Sequence, residues 1–276
     1  MRLRSLLLAT AVSFSLAACT GDAPDEPADP GAASSSAAPT PLPSAEPVAA
    51  PTAPACYRLT FEQALAPTDS SVDVECGRGH TATTIAVGTL ENLRSGHLLA
   101  VDSRQVRDYV AETCPARFAD FVGGTEADRR LSMLRPVWFT PTLEESAAGA
   151  QWYRCDVIAV AGTEQLAPLT GRLRGVLARP EDRDRYAMCG TAAPDTPDFE
   201  RVVCSARHSW RAIEVVTFDD ERYPGARVAR ERGQTQCEDA GARVADDPLD
   251  YQWVYEWPTA EQWRAGQTYG RCWAPA

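Results

Sequence analysis

A fifteen-residue stretch ending in cysteine occurs twice in this chain. Residues 258–272 read PTAEQWRAGQTYGRC, and residues 141–155 read PTLEESAAGAQWYRC. At one fixed offset Pro141/Pro258, Thr142/Thr259, Glu144/Glu261, Gly149/Gly266, Arg154/Arg271 and Cys155/Cys272 are identical. Chance gives about one identity in so short a window, and a repeat constrains the fold before any other signal. The chain is therefore expected to contain two related halves, and any assignment of elements must serve both copies.

The cysteines divide the same way. Apart from Cys19 there are eight, Cys56, Cys76, Cys114 and Cys155, then Cys189, Cys204, Cys237 and Cys272. An even count in an exported chain implies disulfides. Eight cysteines allow about a hundred connectivities, and pairing within halves leaves roughly nine. The preferred set is Cys56–Cys76, Cys114–Cys155, Cys189–Cys204 and Cys237–Cys272, which joins the opening strands of each half and ties a helix to the last strand. Such loops, of roughly 15 to 42 residues, contribute about 3 to 4 kcal/mol each in the chain-entropy model.

The repeat also places local structure. Thr142 with Glu145, and Thr259 with Gln262, have the capping-box spacing that starts a helix. Gly149 and Gly266 stand where a left-handed residue ends it, so each copy holds one to two helical turns. A strand follows, over 152–160 in the first half and 269–273 in the second. Upstream, Val74 to His80 leads into Ile85-Ala86-Val87, and Val203 to His208 leads into Ile213-Glu214-Val215, which reads as two short strands joined at the histidine in each half. Residues 102–122 carry Val106, Tyr109, Val110, Cys114, Phe118 and Phe121 at helical spacing. Pro115 implies a kink there or two shorter helices. The matching segment, 229–244, is more polar and a weaker helix. Residues 162–185, with an apolar run at 173–177, read as a linker or as a strand joining the halves.

The N-terminus gives an address. Arg2 and Arg4 precede a short apolar run over 6–16, the pattern of an export signal. Spanning a bilayer needs about 20 apolar residues, more than this run supplies. Leu16-Ala17-Ala18-Cys19 resembles a bacterial lipobox, which implies cleavage after residue 18 and acylation of Cys19, with palmitate among the chains. Stable anchoring takes two or more such chains. Residues 20–55 are Pro, Ala, Ser and Thr with a few acids and no aromatic residue. They cannot bury enough apolar surface to order themselves, and form a tether reaching roughly 35 Å as a coil or about 110 Å fully extended. The expected location is the extracytoplasmic face of the cell membrane. The chain has 38 acidic residues against 27 basic ones, all Arg, and no basic stripe, which argues against nucleic acid as a partner.

Among candidate chemistries, the Cys-x-x-x-His pairs at Cys76/His80 and Cys204/His208 have zinc-ligand residue types. Each half lacks a second pair at ligand spacing, and disulfides claim the cysteines, so no metal is expected. A structural role suits both histidines best, with partner binding the alternative. His97 has no counterpart and is expected in solvent. The cysteine count leaves no thiolate for nucleophilic catalysis, and no hydrolase or phosphate-loop motif occurs. No nucleotide, no cofactor and no catalytic residue is expected. Glu144 and Glu261 could be read as paired carboxylates for sugar chemistry, but a place in the first turn of a helix accounts for both. Trp253, Tyr255, Trp257, Trp263, Tyr269 and Trp273 read first as core. Any part of that cluster on the surface, Trp253, Tyr255 and Trp257 foremost, would mark a partner site.

With lipobox, tether, paired Cys-x-x-x-His strands and the Pro…Trp-x-x-Gly…Cys ending, the chain resembles the septum formation family of actinobacterial envelope proteins. The resemblance rests most on VVCSARH at 202–208 and on residues 258–272. Gly79 and Arg207 stand before the histidines, and Thr83 and Arg211 three positions after, where the family pattern has proline and an acid. The resemblance implies a membrane-attached extracytoplasmic module linked to cell division. The expected fold is α+β: two related disulfide-stapled repeats, 56–160 and 189–276, joined by a connector at 161–188. Each would have short antiparallel strands, one main helix and a short capped helix before its last strand. The expected function is non-catalytic binding or scaffolding toward envelope proteins, division proteins or peptidoglycan. The alternative is a cell-wall-directed enzyme or sensor that binds sugar on the C-terminal aromatics.

Overall fold

The computed structural model describes residues 48–94 and 96–276; the expected signal sequence, the expected lipidation at Cys19 and the expected tether up to residue 47 lie outside the described residues. The first half opens with β1 (Cys56–Tyr57), α1 (Phe61–Leu65) and β2 (Ala82–Thr89), then a short hairpin of β3 (Leu93–Arg94) and β4 (His97–Leu98). Next come α2 (Arg104–Val122), α3 (Glu126–Arg130), β5 (Leu134–Phe139), α4 (Leu143–Ala147), β6 (Trp152–Val160) and β7 (Leu166–Ala167). Its main sheet has the order β1-β2-β6-β5, all antiparallel, with β7 added to β6.

α5 (Pro180–Arg183) leads into the second half: β8 (Met188–Gly190), β9 (Arg201–Val203), β10 (Trp210–Thr217), α6 (Ala226–Val244), β11 (Val254–Glu256), α7 (Ala260–Arg264) and β12 (Tyr269–Pro275). The order of its sheet is β11-β12-β10-β8-β9. Read from β8, the run β8-β10-β12-β11 follows β1-β2-β6-β5. Cys155 on β6 lies opposite Ala86, just past a bulge at Ile85, and Cys272 on β12 lies opposite Glu214, just past a bulge at Ile213. Each bulge falls five residues after a histidine. A bulge turns the strand and adds twist, so α2 and α6 pack onto sheets bent at the same place. Both sheets are antiparallel, and the molecule mixes helix with antiparallel strand throughout.

Four disulfides staple this frame: Cys56–Cys76, Cys114–Cys155, Cys189–Cys204 and Cys237–Cys272. The second and fourth tie α2 to β6 and α6 to β12. The short helices start where the repeat places them. Thr142 and Thr259 each accept a backbone hydrogen bond from the third helical residue, whose side chain returns to the cap. Gly149 and Gly266 have φ of 97° and 90°, a region open to glycine at little cost.

Two expectations need correction, and the weaker helix of the second half proves as long as that of the first. α2 is one continuous helix of 19 residues through Pro115, not two short ones; its buried side Val106, Val110, Cys114 and Phe118 holds it against the sheet. α6 is equally long, although its sequence is polar, because its buried face is made of Ala229, Gly233, Cys237, Ala240 and Gly241, which let it approach the sheet closely. Before His80 there is a single bridge, Cys56 to Val74, in place of a strand; residues 76–78 turn instead, with the Arg78 amide donating to the Glu75 carbonyl at 2.8 Å.

The segment between the halves is part of the core. Leu173, Val176, Leu177 and Tyr186 are buried in one cluster with Phe118, Val122, Leu134 and Val157 of the first half and Val203, Ala212 and Trp273 of the second. Backbone bonds seal the joint: the Met133 amide donates to the Tyr186 carbonyl and the Met188 amide to the Leu131 carbonyl, both at 2.7 Å, and the Gly162 amide reaches the Arg201 carbonyl at 2.7 Å.

Candidate functional site

The two histidines are held by the same local hook. Nδ1 of His80 lies 3.2 Å from the Arg78 carbonyl, and Nδ1 of His208 lies 2.7 Å from the Ala206 carbonyl. A carbonyl only accepts, so Nδ1 carries the hydrogen in both, and Nε2 is the nitrogen left over. Both histidines thus brace the turn that leads into the bulged strand. His208 also lies with the sulfurs of Cys189 and Cys204 inside a 4.8 Å group. Those sulfurs are bonded to each other, and zinc takes thiolates, so the oxidised protein does not present that ligand set. His97 is exposed on β4.

His80 differs from His208 in what surrounds it. It is buried and lines a cavity of about 460 Å³ between the 76–80 turn and residues 169–174. The Leu169 amide donates to the His80 carbonyl at 2.8 Å, which joins the two walls. Arg58 donates to the Gly79 carbonyl at 2.7 Å, and Cys56–Cys76 pins the base of the turn. Arg78, Arg172 and Arg174 stand at the edge, with Phe121, Leu169 and Leu173 inside. Sequence reasoning named His80 but missed these arginines. The available signal was Gly171-Arg172-Leu173-Arg174-Gly175, whose alternation sends Leu173 into the core and an arginine to either side.

The aromatic trio packs around α6. Tyr255 is buried and its hydroxyl donates to the Ala229 carbonyl at 3.1 Å; burial pushes that phenol's pKa up. Trp253 is half-buried against Gly241. Trp257, also half-buried, lies 6.1 Å from the Tyr255 ring and forms, with Pro194 and Glu256, part of a cleft of about 270 Å³. Glu256 is already engaged: it pairs with Arg201, accepts from Trp273 Nε1 at 3.1 Å and lies 3.8 Å from Arg271. Since Arg201 is on β9 and Glu256 on β11, the sheet curls until its two ends meet. Trp263 and Trp273 are buried. Glu144 and Glu261 are exposed in the first turns of α4 and α7.

The sequence also gave no notice of a buried charge cluster. Arg154 Nη2 lies 2.7 Å from Asp69 and 3.0 Å from Asp156, and all three side chains are at most 3% exposed. The guanidinium is sandwiched between the rings of Tyr57 and Phe139, at 4.0 and 4.5 Å. Thr84 donates to Asp156 at 2.8 Å. Burial raises the Asp156 carboxyl from 3.8 to about 6, against the pull of Arg154. Two rings within 4.5 Å and side chains at most 3% exposed make the cluster a structural keystone.

A model of the family described as septum formation matches residues 134–272. The matched span runs from the start of β5 through the shared core to Cys272 on β12, and so contains the second half up to that cysteine together with the last strands of the first. No curated protein and no solved structure matches the chain. With half of its length under that match, the chain belongs to the septum formation family.

Proposed function

We propose that this protein is a lipid-anchored module on the outer face of the cytoplasmic membrane that binds or scaffolds envelope components during septum formation, without catalysis. The observation that carries this reading is the family match over the shared core. Two features support the address. The described part is closed by four disulfides, which persist in oxidising compartments, and the sequence before it has an export signal, the lipobox ending at Cys19 and a proline-rich tether. We also read the common strand order, paired bulges and paired capping boxes as the trace of a duplicated unit, so that the protein carries two versions of one frame. Its partners in this reading are division proteins, other envelope proteins or peptidoglycan.

The test is expression of the full chain in bacteria fed labelled palmitate, with crosslinking and capture of what it binds. Label on the wild type and none on Cys19→Ala, together with recovery of division proteins or peptidoglycan, supports the proposal. An unlabelled wild type contradicts the anchor, and capture of neither class contradicts the septal role.

A further inference from the structure

The pocket beside His80 has a composition unlike the rest of the surface. In a chain where acids outnumber bases by 38 to 27, no Asp or Glu lines it, and three arginines do. Arg78 is paired at 3.0 Å with Glu75. Arg172 and Arg174 have no carboxylate partner among the described residues, and both are exposed. The backbone that carries them is held in place. Arg179 donates to the carbonyls of both, at 2.7 Å each, which turns the loop's acceptors toward Arg179. The Arg174 guanidinium rests over the Phe121 ring at 4.7 Å, so this cation is held beside an apolar wall at no carboxylate's expense.

The interior of the pocket is mixed. Leu169 and Leu173 are buried, and Phe121 is half-buried. Since His80 Nδ1 is committed to the Arg78 carbonyl, its Nε2 is without a protein partner among the described residues. About 460 Å³ falls within the roughly 300–1,000 Å³ of small-molecule sites, which pair an apolar lining with a few placed polar groups. Guanidinium forks match the geometry of carboxylate and phosphate oxygens.

We propose that this pocket binds a small organic oxyanion, a carboxylate or phosphate ester with an apolar body. Arg172 and Arg174 hold the anionic head, the Phe121–Leu169–Leu173 wall takes the apolar part, and His80 Nε2 meets a polar group between them. The proposal rests on the reading of the chain as a binding module and gives that module a ligand class at one site.

The experiment is calorimetric titration of the full chain with hippurate as the carboxylate probe, phenyl phosphate as the phosphate probe and uncharged hippuramide as the control. At least one anion is expected to bind about tenfold or more tightly than the amide, and the better anion identifies the head group. Arg172→Gln with Arg174→Gln weakens that binding by about tenfold or more, while Arg207→Gln, at an exposed position of the second half, leaves it unchanged. Because both substituted arginines are exposed, the melting temperature stays that of the wild type. The proposal is overturned if neither anion outbinds hippuramide, or if the double variant binds like the wild type. Partner capture surviving in a protein that binds no anion refutes the pocket alone, whereas anion binding without partner capture refutes the module.

Discussion

Arg154 serves two carboxylates at once, and the pH dependence of stability should register that arrangement. Asp156 is wholly buried, and its pKa rises from 3.8 to about 6 because burial penalises the charged form. The folded chain therefore holds this proton more tightly than the unfolded chain does. The stability so contributed is full below the ordinary carboxylate range and is lost as pH rises through about 6, with a slope of up to about 1.4 kcal/mol per pH unit. Urea denaturation across pH 4 to 8 should show that decline in the wild type, and Asp156→Asn should remove this component; an unaltered profile in the variant contradicts the assignment. Close packing supplies a second residue-scale prediction. A Cβ on Gly233 would lie 2.2 Å from the Tyr255 ring, whereas one on Gly77 would meet nothing within 4 Å. Gly233→Ala is expected to destabilise by about 1–3 kcal/mol, measured by denaturant midpoint, against little change for Gly77→Ala. The repeat marked Arg154 as special, but nothing in sequence pointed to Asp69, 85 residues away, since only tertiary packing brings the two together. His80 was legible as a turn residue, while its pocket depends on a wall from residues 169–174 that the repeat does not cover.

At the scale of elements, the two capping boxes are the most direct link between sequence and structure. Each threonine satisfies an amide that the helix leaves without an internal partner. Thr142→Ala and Thr259→Ala should each cost about 1 kcal/mol, and the double variant should cost the sum, because the two sites belong to different helices. A midpoint that moves by less than a third of that for both variants would show that α4 and α7 are held by packing alone. These helices, their glycine stops and strand β6 could be read from short-range patterns, and the division of the cysteines into halves narrowed the pairings to a small set that includes the four observed disulfides. Less legible were the length of α6 and the continuity of α2, which tertiary contact shapes. The 19 residues of α6 present a stripe of small residues where hydrophobic periodicity looks for large ones, and α2 keeps Pro115 because the surrounding buried side chains and Cys114–Cys155 outweigh one lost backbone bond.

On the scale of the whole molecule, the link between the halves supplies Leu173, Val176, Leu177 and Tyr186 to a core shared by both. Sequence left this segment open between linker and joining strand because its charged and proline-rich composition masks so short an apolar run. The family match spans this segment and begins at β5, and the Met133–Tyr186 and Met188–Leu131 backbone bonds fasten the approach to β5 onto the approach to β8. The shared core implies that both main sheets belong to one cooperative body. Native-state hydrogen exchange on the full chain tests it most directly, because it reports the opening free energy of each region separately. The slowest amides of β6 and of β12 should open with the same free energy and the same denaturant dependence. Opening of either strand at a clearly lower free energy, while the other stays protected, would contradict it.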